Sequence, residues 1–407
     1  MKQFDPPARS VSMTALVLTV CLWIAFPWAG SAAQPLLVST QGDTNDVFAF
    51  PDVATGLPTP AASPLTLPGS TFPHGIAYAS LTRALVCNIS QSEVIAMDPS
   101  TNSVLHTIDV SPSYAGGTVA ISPDGQFALV AGERGTAYGG TPTPVLVTIA
   151  DPFGISPTPT TVALPNDQIV EDYQTNGIVF DDTGRAFVAT QHKDFDAADP
   201  MNSPNTSFVH VLDPPYTSIA FSMPVPVNED RREVAEGIAL TPDGSQLLVA
   251  SNGDVIWIFD APFSSTPTVH TLSAPGQFLC TIGIGVAPDQ QRAIVADCGD
   301  RILSVAAPFG ASSTVESLTV PAPATGGQFE HVAISDDGQL AVVTGGSVAA
   351  GLPMVVIEPP FIQAAATLHA VPVGSGRGAG AARFIPTRLF TDGFELGNVQ
   401  RWSAASP

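Results

Sequence analysis

Positive charge is scarce in this sequence. Only 14 of its 407 residues are Lys or Arg, against 36 Asp or Glu, so the net charge at pH 7 is −22. Apart from Lys2, the one lysine is Lys193. A surface this acidic repels phosphate backbones and anionic lipid headgroups. We therefore expect no nucleic-acid partner.

Long apolar runs are also rare, and only the N-terminus has one. Lys2 and Arg9 precede an apolar stretch over residues 13–28, which is followed by small residues up to Ala33. Charged, apolar and small-residue regions in this order are typical of a secretory signal peptide. We expect residues 1–33 to be cleaved off and the protein to be secreted or periplasmic. No other stretch is long and apolar enough for a transmembrane helix.

Cysteine is limited to four residues, and Cys21 falls within the predicted signal peptide. Cys280 precedes the first strand of a repeat described below, and Cys298 ends the second strand of that repeat. The intervening turn folds these two positions beside each other, and export permits disulfides. We predict a disulfide between Cys280 and Cys298. Cys87 lies in an apolar strand and is expected to be a buried hydrophobic residue.

Several catalytic signatures are missing. The sequence has no C-x-x-C-H, no G-x-S-x-G and no H-E-x-x-H, the marks of c-type haem proteins, α/β-hydrolases and zinc metalloproteases. A Ser–His–Asp triad stays open, because sequence order alone does not exclude one.

Short strands repeat along the rest of the chain. The clearest copy is GIALTPDGSQLLVASNGDVIWIFDAPF, residues 237–263, in which three apolar strands alternate with Pro-Asp-Gly and Asn-Gly turns. These are hairpin signals, and so small a meander cannot bury its own faces alone. Its first strand and turn recur in six copies, and the third strands end on a second signature such as DPPY or AAPF. Two signatures in phase indicate a repeat architecture.

A seventh copy can be assembled from both chain ends. Residues 35–67 supply LLVST, DVFAF and SPLTL, which match later strands of the repeat, and GAARFIP at 380–386 resembles a lone first strand. Pairing them would remove the free edges of an open ring. We therefore predict an all-β fold, a seven-bladed β-propeller of four-stranded antiparallel blades, as one domain over residues 34–387. Eight or six blades are the alternatives.

GIALTPDGSQLLVAS followed by VIWIFD resembles the YVTN-repeat, lactonase-like family of seven-bladed propellers. The resemblance covers nearly all of residues 35–386 and implies architecture rather than activity, because such propellers include lactonases, redox enzymes and binding scaffolds. LFTDGFELGNVQRWS, within residues 388–407, resembles a short ending of exported proteins of Gram-negative bacteria. It implies a tail for sorting or surface anchoring, with a structural cap as the alternative.

Polar residues recur where the first strands enter the predicted channel. The copies begin at His74, Gly117, Asn176, Glu236, Ile282 and Glu330, with His331 one position after the last. Carboxylate, imidazole and amide groups around one axis suit a divalent cation, calcium or zinc. Asn176, Glu236 and Glu330 are the predicted ligands. The alternative is a water-filled channel with solvated polar residues.

TNGIVFDDTG and AEGIALTPDG also resemble motifs of the gluconolactonase and regucalcin family, in which such Asn and Glu residues ligate a catalytic metal. The resemblance implies this role for Asn176 and Glu236, although that family has six blades and its full ligand set is not found here. Such a metal would polarise a lactone carbonyl and activate water, with His74 or His331 as general base. The candidate catalytic residues are His74, Glu236 and His331.

Two charged loops offer further sites. Asp194, Asp196 and Asp199 are close enough in sequence for one hard cation, although their spacing is not that of an EF-hand. The alternative is a solvated acidic loop. Arg231 and Arg232 could meet a carboxylate-bearing ligand or pair with acidic neighbours.

These observations favour a non-catalytic, exported propeller, expected to be a monomer, that binds a ligand or partner through its loop-rich face and channel mouth. A metal-assisted, lactonase-like hydrolase is the first alternative. A redox propeller is the second.

Overall fold

The computed structural model describes most of residues 35–384. The described ranges are 35–40, 46–50, 64–68, 73–88, 92–111, 113–134, 143–165, 168–169, 177–192, 207–226, 235–251, 253–297, 301–321, 329–345, 354–371 and 379–384. The predicted signal peptide (1–33) and tail (388–407) lie outside these ranges.

The described residues form 29 β-strands in seven sheets and contain no α-helix. The first three strands are β1 (Leu36–Thr40), β2 (Asp46–Phe50) and β3 (Leu65–Thr66). Blade 1 consists of β4 (Pro73–Ser80), β5 (Arg83–Asn88), β6 (Glu93–Asp98) and β7 (Ser103–Asp109). Blade 2 consists of β8 (Ser113–Ile121), β9 (Phe127–Arg134), β10 (Thr143–Ala150) and β11 (Thr158–Ala163). Blade 3 consists of β12 (Gln168–Ile169), β13 (Ile178–Phe180), β14 (Ala186–His192), β15 (Phe208–Leu212) and β16 (Phe221–Pro224).

Blades 4 to 6 follow the same order. Blade 4 consists of β17 (Ala235–Leu240), β18 (Gln246–Ser251), β19 (Val255–Asp260) and β20 (Thr268–Ser273). Blade 5 consists of β21 (Thr281–Val286), β22 (Arg292–Asp297), β23 (Arg301–Ala306) and β24 (Val315–Leu318). Blade 6 consists of β25 (His331–Ile334), β26 (Ala341–Thr344), β27 (Met354–Glu358) and β28 (Thr367–Val371). The last strand is β29 (Ala379–Phe384).

Blade 7 combines the two ends of the described chain. Its strand order is β29-β1-β2-β3, and β29 runs antiparallel to β1 with Arg383 opposite Leu37. The predicted closure is therefore confirmed, and the protein is a seven-bladed β-propeller. Blade 3 departs from the common pattern, because β12 and β13 both pair with β14 and divide the inner position between them.

The core consists of seven apolar clusters, one between each pair of neighbouring blades. Each cluster takes side chains from both blades that it joins, since successive residues of a strand point to opposite faces. In blade 4, Trp257 packs toward blade 3 whereas Ile258 packs toward blade 5. The clusters are represented by Ile76, Val130, Leu146, Trp257, Ile284, Val332 and Phe48.

The inner strands form a closed ring around the channel. Each of β4, β8, β13, β17, β21, β25 and β29 contacts the inner strand of both neighbouring blades. Glycine permits the close approach in blade 4, because a Cβ on Gly237 would overlap the carbonyl oxygen of Ile282. The inner strands thus bring residues from distant parts of the sequence into contact.

The Pro-Asp-Gly turns have a structural role. In blade 4, Thr241 Oγ1 donates to Asp243 Oδ1 at 2.7 Å, and the Ser245 N–H donates to the same oxygen at 3.0 Å. Gly244 follows with a φ of +69°, the left-handed conformation that favours glycine. The aspartate therefore organises the turn itself.

The cysteines agree with the expectations where they are described. Cys87 is a free, fully buried thiol, and burial raises its pKa far above the usual range. Cys280 is disulfide-bonded. Cys298 lies outside the described residues, so its pairing with Cys280 stays a prediction. In the part of the chain that the structure describes, no helix has the length and apolar character needed to cross a bilayer.

Candidate functional site

Two histidines and a carboxylate converge at one arc of the channel. The ligand atoms of His74, Glu330 and His331 all lie within 4.8 Å of one another. The rings of His74 and His331 meet edge to face, with centroids 5.1 Å apart. His331 Nε2 lies 3.8 Å from Glu330 Oε2. These three residues, expected separately at the channel mouth, therefore form one cluster.

Blade 6 holds two members of this cluster at the start of its inner strand. The Glu330 N–H donates to the carbonyl oxygen of Thr344 at 2.9 Å, and His331 is the register partner of Thr344 on β26. Both residues are nearly buried, with 9% of Glu330 and 1% of His331 exposed. The backbone of this pair is therefore held by the sheet.

The backbone of His74 is held by blade 7. Ser39 Oγ donates to the carbonyl oxygen of His74 at 3.0 Å and accepts from the Ala381 N–H at 2.9 Å. His74 also falls within a β-bulge, because the pairing of β4 with β5 shifts register between Pro73 and Ile76. A bulge re-aims a side chain relative to the regular alternation of a strand, and bulges often lie beside functional sites.

Blade 5 packs directly beside the cluster. A Cβ on Gly283 would overlap the carbonyl oxygen of Glu330 and would lie 3.1 Å from the Cα of His331. The equivalent position in blade 4 is Gly237, and in blade 6 it is His331 itself. Blade 6 therefore places a large polar side chain where its two predecessors need glycine for close packing.

Burial sets the charge of the cluster. It lowers the pKa of His331 well below its ordinary value, and Coulombic interactions with His74 and Arg383 lower it further. Arg383 lies on β29, between the inner strands of blades 6 and 1. Its own pKa is lowered by burial to about 10, which still leaves the guanidinium charged at neutral pH. His331 is therefore a neutral imidazole at neutral pH.

Comparisons with known proteins support the architecture. The periplasmic gluconolactonase PpgL of Pseudomonas aeruginosa matches with a TM-score of 0.62 and 16% identity, over 87% of this chain and 99% of that one. A protein of Lactobacillus plantarum matches with a TM-score of 0.60 and 14% identity, over 87% and 100%. Hydrazine synthase of Kuenenia stuttgartiensis matches with a TM-score of 0.53 and 13% identity, over 79% and 95%. The chain shares their fold.

At these identities the similarity concerns the fold alone. No family model matches the sequence, and no curated protein matches it. The resemblances to the YVTN-repeat family and to the Gram-negative tail therefore stay predictions, as does the implied role of Asn176.

The remaining candidates are not part of the cluster. Glu236 lies on β17 in blade 4, is 4% exposed, and falls within a bulge between Ala235 and Ile238. Among the described residues, the structure does not group it with the two histidines and Glu330. The other candidate residues lie outside the described ranges, and their roles stay predictions: Asn176, Asp194, Asp196, Asp199, Arg231 and Arg232.

Sequence reasoning missed Arg383, although one signal pointed to it. GAARFIP was correctly expected to be an inner strand, so its single charged residue had to lie near the channel or between blades. His331 was already a candidate, but one signal for it was not used: it replaces the glycine found at that position in NGIVFD, EGIALT and IGIGVA.

Proposed function

We propose that this protein is an exported β-propeller that binds a small, oxygen-rich molecule at its channel mouth. The observation that carries the proposal is the convergence of His74, Glu330 and His331 on one arc of the channel, with Arg383 on the strand between them. If these residues only lined a water-filled channel, we would expect them to be exposed and spread around it. Instead, residues from blades 1, 6 and 7 form a nearly buried group.

The chemistry of the cluster suggests the class of ligand. Arg383 donates hydrogen bonds, Glu330 accepts them, and the neutral imidazole of His331 offers one donor and one acceptor. This arrangement suits a molecule that carries several hydroxyl groups together with one carboxylate or lactone, such as a sugar acid. A gluconolactonase is among the proteins that share the fold.

Calorimetry and thermal shift with sugar acids, their lactones and the parent sugars test this proposal. We expect one of these classes to bind, and His331→Asn to weaken that binding at least tenfold because it removes one ring nitrogen and alters the shape of the site. His369→Asn is the matched control, since His369 lies on the outer strand β28, where its Nε2 is 3.3 Å from Glu358 Oε1. Equal binding by both variants and the original protein would place the ligand elsewhere, and binding of none of these compounds would contradict the proposed class.

Hydrolysis of a lactone is the second candidate, and the edge-to-face pair of imidazoles favours it. One imidazole takes a proton from water as the water oxygen bonds to the carbonyl carbon, and the charged guanidinium of Arg383 on the neighbouring strand β29 would stabilise the oxyanion. The ring C–O bond then breaks, and the alkoxide leaves with the proton returned by the imidazolium. General base catalysis of this kind is worth roughly 100- to 10,000-fold in rate. In the metal-assisted version, an ion held by the cluster would supply the Lewis acid that polarises the carbonyl.

A lactone-hydrolysis assay distinguishes this candidate from simple binding. If the cluster is catalytic, we expect Glu330→Gln and His331→Asn each to lower kcat roughly 100-fold, whereas Glu236→Gln leaves it within a few-fold because Glu236 lies outside the cluster. Loss of activity in Glu236→Gln alone would instead favour the ligand set expected from the sequence. Absence of turnover with every lactone would leave binding as the function. The redox alternative is tested by the visible absorption of the purified protein, where a chromophore would support it.

A further inference from the structure

We infer that His74, Glu330 and His331 form a transition-metal site that joins blades 1 and 6 across the closing blade of the propeller. The inference goes beyond ligand binding and does not depend on it. It also assigns a ligand set different from the one that the spacing of the repeats suggests, because it replaces Asn176 and Glu236 with two histidines.

The donor set suits zinc and related ions. Two imidazole nitrogens and one carboxylate oxygen are a combination that zinc binds tetrahedrally, with the fourth position open to water or substrate. Donor atoms on such an ion are about 3.3 Å apart, and the 3.8 Å between His331 Nε2 and Glu330 Oε2 is already close to that value. All three donors lie within 4.8 Å of one another, so we expect side-chain adjustment alone to bring them to bonding distance. Calcium and magnesium prefer oxygen ligands, and the two imidazoles disfavour both.

The backbone positions of the ligands are already organised. The Glu330 N–H is bonded to Thr344, and the His74 carbonyl oxygen is bonded to Ser39. The cluster is nearly buried, so an ion there would be shielded from bulk water. Ligands held in this way lose little conformational freedom on binding, which favours affinity.

An ion bound by this cluster would also affect the stability of the ring closure. His74 belongs to β4 and His331 to β25, and β29 of blade 7 contacts both strands. Blade 7 is the sheet in which β29 pairs with β1, from the opposite end of the described chain. An ion bound by His74 and His331 would therefore link the two blades that flank this junction and restrain its opening.

Metal titration of the full mature chain tests the site. Protein stripped with a chelator is loaded with zinc or cobalt, desalted and analysed for metal content, and the zinc Kd is measured by competition with a chromogenic chelator. We expect about one ion per chain, visible cobalt bands of a four-coordinate site, and a roughly 100-fold loss of affinity in His331→Asn and in Glu330→Gln. His369→Asn should bind like the original protein.

Two controls keep the result decisive. Each variant is first compared with the original protein by circular dichroism in chelator, and Glu330→Gln serves if His331→Asn does not fold. Undetectable metal, or equal affinity in the original protein and both variants, would overturn the assignment. Small-molecule binding measured in chelator stays independent of this outcome, so failure of the metal site and failure of the proposed function are distinguishable.

Hydrogen exchange tests the link between blades. We expect zinc to slow exchange of the amides of β1 and β29 at least tenfold more than those of β18 and β19 in blade 4. The difference should be absent in His331→Asn and retained in His369→Asn. Zinc that binds but protects all blades equally, or protects none, would contradict the role at the junction.

Discussion

A single buried histidine outside the site shows how strongly this fold controls charge. His210 on β15 is 1% exposed, its Nδ1 lies 2.7 Å from Ser222 Oγ, and its ring stacks on Phe208. Burial lowers its pKa from 6.5 to about 4, because the charged imidazolium is poorly solvated there. Between about pH 4 and pH 6.5, His210 is therefore neutral in the folded state and protonated in the unfolded chain.

The free energy of unfolding should therefore depend on pH through His210. The contribution of this residue is fully present above about pH 6.5 and declines as the pH falls toward 4, because the unfolded state then binds the extra proton. The shift corresponds to about 3 kcal/mol in total. Urea unfolding at pH 7 and pH 4.5 should show a smaller loss of stability in His210→Gln than in the original protein, by roughly 2 kcal/mol. An identical loss in both would contradict this account.

At the scale of elements, one hydroxyl joins the ends of the described chain. Ser39 on β1 bonds to the carbonyl oxygen of His74 on β4 and to the N–H of Ala381 on β29, and its side chain is fully buried. It thereby fixes the seventh blade against the first. It also positions one of the two histidines of the candidate site.

Replacing Ser39 should therefore affect both stability and the site. Ser39→Ala leaves a buried carbonyl oxygen and a buried N–H without this partner, at a cost of roughly 1–3 kcal/mol in the free energy of unfolding. Ser265→Ala is the control, since Ser265 is exposed, and it should be neutral. Chemical denaturation measures both. Stability of Ser39→Ala equal to that of the control would show that neighbouring groups or water replace the hydroxyl.

The strands and turns were accessible from the sequence because their causes are local. The apolar runs and the Pro-Asp-Gly turns depend on neighbouring residues, as Thr241 and Asp243 show. The closure was predictable as well, because GAARFIP had the pattern of a strand without a partner. The seven-bladed architecture was thus predictable from local sequence signals.

The candidate site was only partly accessible. His74 and His331 were each expected at the channel mouth, but their contact depends on the closed ring, in which blade 7 alone separates blades 1 and 6. The bulges at the mouth were not predictable either, since they have no clear sequence mark around Pro73 or Ala235. Arg383 was missed because its strand was considered for closure and not for chemistry.

At the scale of the whole molecule, stability depends on an uninterrupted ring. Seven apolar clusters join the blades, and two of them take side chains from β29, namely Ala381 between blades 7 and 1 and Phe384 between blades 6 and 7. An open ring would expose β1 as an unpaired edge, and such edges promote aggregation.

Removal of the closing strand should therefore be severe. A chain that ends at residue 378 loses β29 and is expected to aggregate or to unfold without a cooperative transition, whereas a chain that ends at Thr387 should keep the midpoint of the full protein. Size-exclusion chromatography and thermal unfolding measure the difference. A monomeric chain ending at residue 378 with an unchanged midpoint would show that the six-blade remainder closes without it.

The closing blade also has a consequence for biosynthesis. The ribosome produces the N-terminus first, so β1 has no pairing partner on its β29 side until blades 1 to 6 and then β29 have been synthesised. The ring segment that joins His74 on β4 to His331 on β25 is completed only when β29, the strand that contains Arg383, has been made. A chain released before that point lacks its closing strand and the arginine of the candidate site. The candidate site is thus complete only in molecules whose synthesis has passed Arg383.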